Sequence, residues 1–443
     1  MRRSLIVIGI GVALAVSGGI GVASTTDQTT APTVSSPAQV VPDSGQDLTA
    51  TITALQSTLR RVPEDHVSWA GLSLAYVEQA RVTGLASYYD KADEAAARSF
   101  EIEPDENFHA LTADAAIAAA RHDFGQALDS AEQALAVNPR DLGALAVRID
   151  ALNELGRYDA QLRALRTADR LQPSTAIAAR YSYAYELRGD LERAGDILRR
   201  AAASATRADQ AYVLTLRADI LRKQGRLPAA GRDLDTALRA VPGHLPALVS
   251  TARLQVARGE LDAAVETWRD VVSQQPLPEY LTELGELLEH LGRDQEAATQ
   301  FDVVRTTIEL LDASGVGTDL ETALFEADHG SADRALTQAR AEWDRRTSVH
   351  VADAYAWALH GAGRDEDALR ISRAATRLDT PEARFWIHRG TIEAALGMTD
   401  AARTHLRRGL DTDPGLSPWQ RDRARATLAR LSDGPGDSTK GTR

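Results

Sequence analysis

The chain has 443 residues, 44% of them hydrophobic and 26% charged, and a formal charge of −13. That apolar share is enough for a folded body, and length alone suggests about three domains of roughly 150 residues unless a repeat lifts the limit. The absence of cysteine excludes disulfide scaffolds, thiolate metal sites and a cysteine nucleophile, and the negative charge argues against a general binder of nucleic acid or anionic membranes.

Alanine and leucine carry the apolar share, with only six Phe, ten Tyr and six Trp, and this favours helices over sheets. Of the 50 basic residues only Lys91, Lys223 and Lys440 are lysine, so arginine counts alone are not evidence for phosphate binding.

From the N-terminus, Arg2 and Arg3 precede the uncharged apolar stretch Leu5 to Val16, and small residues follow. Residues 1–23 have the three-part layout of a secretory signal, with Gly21-Val22-Ala23 or Val22-Ala23-Ser24 as cleavage site. The competing reading is an uncleaved anchor over residues 5–23, just long enough to span a membrane. Residues 24–46 are rich in Thr, Ser and Pro and read as a disordered linker. Over residues 47–61, Leu48, Ile52, Leu55 and Leu59 share one helix face and suit an N-terminal capping helix.

A ladder of glycines then runs through Gly156, Gly189, Gly225, Gly259, Gly292, Gly330, Gly363 and Gly397, in steps of 33, 36, 34, 33, 38, 33 and 34. Five residues after each stands Gln161, Ala194, Ala230, Ala264, Ala297, Ala335, Ala368 or Ala402. Pro173, Pro242, Pro276 and Pro414 lie seventeen residues after their glycines, and Pro381 one place later. His122, Ala127 and Pro139 extend the ladder backwards, and Ala92 and Pro104 extend it again.

Each rung has a physical role. The glycine ends the first helix of a pair by turning through left-handed φ at least cost. The alanine lets two antiparallel helices approach closely, and the proline marks the end of the second helix. Between them, sets such as Leu281, Leu284, Leu288 and Leu291 are spaced by three and four, the signature of one buried helix face.

The sequence resembles the tetratricopeptide repeat (TPR) family, whose 34-residue helix–turn–helix carries a bulky residue, a Gly or Ala, an aromatic, a small Ala and a final Pro. The best copies read Leu152-Asn153-Glu154-Leu155-Gly156-Arg157-Tyr158-Asp159 and Trp386-Ile387-His388-Arg389-Gly390, and Trp69, Leu72 and Tyr76 match the opening of the first copy. The resemblance covers residues 66–415, about ten copies. It implies an all-α, right-handed superhelical solenoid of antiparallel helix pairs. Two stretches depart from it: about seven extra residues around Arg81 to Tyr89, and Thr306 to Thr318, which lacks its proline and breaks the array. Beyond the array, Ser417-Pro418-Trp419 is an N-cap, a first-turn proline and an aromatic, so residues 417–431 read as a C-terminal capping helix. Residues 432–443 read as a disordered tail.

Catalytic motifs are absent: no Gly-x-Ser-x-Gly, His-Glu-x-x-His, phosphate loop or dinucleotide Gly-x-Gly-x-x-Gly occurs. Asp411-Thr412-Asp413-Pro414-Gly415 is a helix end with turn residues rather than a calcium loop, since the later ligands are missing. Glu279, Glu283, Glu286 and Glu289 share a helix face and read as a solvated acidic face. The sequence therefore predicts no enzyme and no cofactor.

In TPR superhelices the first helix of each pair lines a concave groove that takes a peptide. Carried onto this chain, the resemblance places Arg180, Tyr183, Glu186, Tyr212, Asp219, Arg222, Glu283, Glu286, Trp357, His360 and His388 on that face, with His350 and Asp353 beside them. No groove position carries the Lys and Asn combination with which some members hold a terminal carboxylate. The reading is an exported scaffold, secreted or associated with the cell envelope, that binds a protein or peptide partner and touches a membrane only through an uncleaved N-terminal segment. The alternative is an extracytoplasmic metal- or solute-binding protein using the histidines between 350 and 388. His350 and His360 lie about 15 Å apart along a helix axis, so one ion cannot bridge them directly.

Overall fold

The computed structural model describes residues 45–83, 85, 87–313 and 320–432. The proposed signal or anchor at 1–23, nearly all of the linker, and the tail beyond residue 432 lie outside the described residues. Among those described, every regular element is a helix. They are α1 (Gly45–Arg61), α2 (His66–Thr83), α3 (Ser87–Ile102), α4 (Phe108–Ala120), α5 (Phe124–Val137), α6 (Leu142–Glu154), α7 (Tyr158–Leu171), α8 (Thr175–Glu186), α9 (Leu191–Ser204), α10 (Arg207–Lys223) and α11 (Leu227–Ala240). Then follow α12 (Leu245–Arg258), α13 (Leu261–Gln274), α14 (Pro278–His290), α15 (Asp294–Ala313), α16 (Leu320–His329), α17 (Ala332–Arg345), α18 (Val349–Gly361), α19 (Asp365–Ala375), α20 (Ala383–Ala395), α21 (Thr399–Thr412) and α22 (Pro418–Ser432). Helices α2 to α21 form ten consecutive hairpins, an all-α solenoid, which bears out the predicted fold class. None of the described helices is long and apolar enough to cross a membrane.

The two helices of a hairpin differ in pattern because they differ in surroundings. A first helix is enclosed by its neighbours, so α4 buries Ala110, Thr112, Ala113, Ala115, Ile117 and Ala118 on several sides. A second helix has one face in water, so α5 buries Phe124, Ala127, Leu128, Ala131 and Ala134 at spacings of three and four. Asn107, Asp123 and Asp141 cap α4, α5 and α6 by accepting from the backbone N–H three residues on.

The glycine ladder does what its spacing predicts at seven of eight rungs, from Gly156 (φ 67°) to Gly397 (φ 72°). His122, in the same slot, also takes φ 61°. Gly330 is the exception. It has no left-handed φ, and its hydrogen faces Glu326, whose carboxylate fills the space that a Cβ would need. Close approach rather than turning selects glycine there. The ladder alanines are buried without exception, and Gln161, the one departure, is buried too and donates to Asn153 Oδ1 at 3.1 Å across its hairpin. Of the irregular stretch 306–318, residues 306–313 prolong α15 to 20 residues, and 314–319 lie outside the described residues.

The chain falls into two compact units. The first holds the described residues up to 184, with 196–213 and 345–347. Its core runs through Phe124, Leu128, Leu145, Ile149, Leu152 and Leu165, and α1 packs on α2. The second holds 185–195, 214–344 and 348 onward. Its largest cluster centres on the fully buried Trp268 with Val265, Leu284, Leu288 and Phe301. There α22 packs on α20 and α21, and also on α14, three hairpins before the last.

Candidate functional site

The first helices present most of the polar residues singled out above, and each unit treats them differently. In the first unit Arg180, on α8, is 4% exposed and grips Asp150 of α6 with two parallel bonds, Nε to Oδ1 at 2.8 Å and Nη2 to Oδ2 at 2.7 Å. Burial alone would lower the guanidinium's pKa, but Asp150 outweighs it and raises it. Tyr183 and Tyr212 are half-buried. On the same kind of face nearer the N-terminus, Val67, Ala70, Gly71 and Leu74 of α2 line a narrow cleft with His109 and Thr112 of α4 and Asp141 at the start of α6. Thr112 donates to Asp141 at 3.0 Å, and burial pushes His109 below its ordinary pKa.

In the second unit the polar residues form a network. Glu186 accepts from Lys223 Nζ at 2.9 Å, and Lys223 reaches Glu382 at 3.4 Å. Burial would raise the Glu382 carboxyl, but Lys223 and Arg384 hold it down to about 2. Asp219 accepts from the Ser250 hydroxyl at 2.8 Å, and Arg222, 4% exposed, pairs with Asp413. Glu283 accepts from Arg253 Nε at 3.1 Å. Glu286 is 3% exposed and lies 3.4 Å from His329 Nε2, and burial raises its pKa. Burial, with Glu321 adding to it, pushes Glu279 up to about 7. On α14 Glu283 and Glu286 are thus paired and Glu279 is partly enclosed, while Glu289 alone keeps the solvated position the sequence suggested for all four.

Trp357 is buried between two imidazoles. Its ring stacks on His388 at 4.0 Å with 3° between planes, and on His360 at 5.0 Å. Each of the three rings is fixed by a carboxylate: Trp357 Nε1 donates to Asp328 at 3.1 Å, His360 Nδ1 meets Asp365 at 2.5 Å, and His388 Nδ1 meets Asp353 at 3.0 Å. His350 lies edge-on to Phe385, and burial lowers its pKa to about 4. The structure therefore brings Trp357, His360 and His388 together, and it engages Arg180, Arg222 and Glu286 with partners inside the fold. Among the described residues no group of three or more His, Asp or Glu side chains is arranged to hold a metal ion.

Sequence reasoning passed over Lys223, Arg253, Glu382 and Asp413, which complete this network. One signal was available for Lys223, since lysine is rare in a chain that writes nearly every basic residue as arginine.

Stacked helical hairpins of this kind imply a protein-interaction scaffold, a fold that is generally non-catalytic. Residues 113–176 and 249–307 match the tetratricopeptide repeat family model, and the ten hairpins are consistent with about ten such repeats. No curated protein matches it. Among solved structures it is similar to PilW, a widely conserved type IV pilus biogenesis factor, at 23% identity over 46% of this chain and 94% of that one, with a TM-score of 0.40. It is also similar to a thermophilic TPR protein of Thermus thermophilus, at 22% identity over 42% of this chain and 99% of that one, with a TM-score of 0.37. Human IFIT1, in its dimer with PPP-AAAA, aligns at 14% identity over 82% and 86%, TM-score 0.46.

Proposed function

We propose that this chain is an exported scaffold whose first-helix face takes a protein or peptide partner. The observation that carries the reading is the first unit's face around α2, α4 and α6. There Val67 and Leu74 remain half-buried and line a cleft with His109 and the Thr112–Asp141 pair. Apolar side chains short of full burial, next to fixed polar groups, give a peptide both contact area and orientation. Tyr183 and Tyr212 extend the same kind of surface as half-buried aromatics. Support for export comes from the N-terminal sequence: Arg2 and Arg3, the apolar stretch Leu5 to Val16, and the small residues at 21–24.

Two measurements test this. Tagged full-length chain, cross-linked in its native host, should recover a defined protein partner, and a Tyr183→Ala/Tyr212→Ala variant with an unchanged helical spectrum should recover at least tenfold less. Equal recovery removes the face from the reading. N-terminal sequencing of the exported form should begin near Ser24 or Thr25. An intact Met1 in the membrane fraction assigns residues 5–23 as an anchor, and retention in the cytoplasm overturns export.

A further inference from the structure

The segment between α21 and the middle of α22 crosses the first helices of four earlier hairpins in the second unit. Asp413 pairs with Arg222 of α10. A Cβ on Gly415 would collide with Arg222 Nη1 and stand 3.0 Å from the Arg253 carbonyl oxygen, so the backbone there lies directly on α10 and α12. Asp422 meets His290, at the end of α14, at 2.8 Å. The Trp419 ring lies 4.7 Å from that of His329 on α16. These contacts are polar or ring contacts. Leu416 of the segment joins the cluster of its own last repeat, with Ala383, Ile387 and Leu406.

The Arg222 grip is incomplete. In the first unit Arg180 holds Asp150 through both Nε and Nη2. Arg222 hydrogen-bonds Asp413 through Nη1, its Nη2 lies 3.5 Å from Asp219 of its own helix, and its Nε, in a side chain 4% exposed, has no hydrogen-bond partner among the described residues. An unfilled buried donor is costly, and a carboxylate that approached Arg222 side-on would fill it.

We propose that residues 413–422 are an internal ligand of this face, and that the face takes from a partner protein a peptide presenting a carboxylate and, six residues on, an indole. The chain's own segment supplies that pair as Asp413 and Trp419. A partner whose carboxylate engages both Nε and an Nη of Arg222 satisfies a donor that the internal segment leaves empty, and so displaces it. The tether gives the internal segment a high effective concentration, so the face is closed until such a partner arrives. The inference rests on the scaffold reading but uses the second unit, whereas the partner capture above reads Tyr183 and Tyr212 in the first. The two can fail independently.

The test uses the full chain and a fluorescent synthetic peptide of residues 410–424. An Asp413→Asn/Trp419→Ala variant should bind the peptide at least tenfold more tightly than the unaltered chain does. Adding Arg222→Gln to that variant, or replacing Asp413 of the peptide by Asn, should abolish the gain. Equal affinity for variant and unaltered chain, or no saturable binding to either, overturns the proposal. Hydrogen exchange on the unaltered chain gives an independent reading should the variant misfold. Amides of 411–425 should exchange at least tenfold faster than those of α12 and α14. If they exchange as slowly, the segment is a fixed part of the fold and the proposal falls.

Discussion

His122 occupies a ladder position where seven of the eight glycines that follow it take positive φ, and it adopts φ 61° itself. A side chain in that conformation costs on the order of 1–2 kcal/mol, which only Gly, and to a lesser degree Asn, avoids. In return the imidazole lies nearly parallel to the Phe124 ring, centroids 5.8 Å apart. Burial, with Arg346 and Arg345 adding to it, lowers its pKa to about 3. The ring is therefore neutral in the folded chain at pH values where it is protonated in the unfolded one. Below about pH 6.5 the unfolded state binds the extra proton, so stability falls as pH falls, until the folded form also titrates near 3. Between pH 6.5 and 5 this one group should cost the first unit about 2 kcal/mol. His122→Asn keeps a residue tolerant of left-handed φ and cannot titrate. Exchange protection of α4 and α5, corrected for intrinsic rates, should drop less between pH 7 and 5 in the variant than in the unaltered chain. An identical drop would show that His122 is not the group responsible.

At the scale of the helix pair, the sequence carried most of the information, because a hairpin is a local object. Helix ends follow the prolines closely: α7 stops at Leu171 before Pro173, α11 at Ala240 before Pro242, and α13 at Gln274 before Pro276. The small residues mark where two helices touch, and this is clearest at α20 and α21. A Cβ on Gly390 would lie 2.8 Å from Leu406 Cγ and 2.9 Å from its backbone nitrogen, and one on Gly409 would lie 2.9 Å from the Ala383 carbonyl oxygen. Neither backbone atom can retreat without moving its helix. Gly390→Ala should therefore destabilise the second unit by about 1–3 kcal/mol despite its better helix propensity. Ala264→Leu, which forces a larger side chain between α12 and α13, should cost a similar amount. Thermal unfolding measures both, and an unchanged or raised Tm for either variant contradicts the close-approach role. Gln161 shows the limit of pattern reading. It breaks the alanine ladder, yet it fits because Asn153 faces it, and that pairing is visible only once the two helices are folded together.

At the scale of the molecule the sequence was nearly silent, because what ties distant repeats together has no period. In a stack where each repeat touches only its neighbours, stability is a sum of local and nearest-neighbour contributions and the ends loosen first. Helices α1 to α4 fit that description, with α1 on α2, α2 on α3 and α4, and α3 on α4. The second unit does not. Thr380 donates to the Leu187 carbonyl at 2.7 Å, and Lys223 joins Glu186 to Glu382, which links the end of α8 and α10 to the start of α20. In the sequence Lys223 stands out only as one of three lysines among 50 basic residues. Only a structure shows it enclosed by two carboxylates that lie about 200 residues apart in the chain. The consequence is cooperativity: α10 and α20 should open together although about 160 residues separate them. In hydrogen exchange, amides of α10 after residue 214 and of α20 should share one opening free energy, while α1 to α3 exchange faster. Lys223→Met keeps the apolar stem and removes the charge, leaving Glu186 and Glu382 without their shared cation. It should lower the protection of α10 and α20 by the same factor, and leave α1 to α4 as they were. Loss of protection confined to α10 would mean that the C-terminal hairpins hold their place without Lys223, and that the unit behaves as a simple stack.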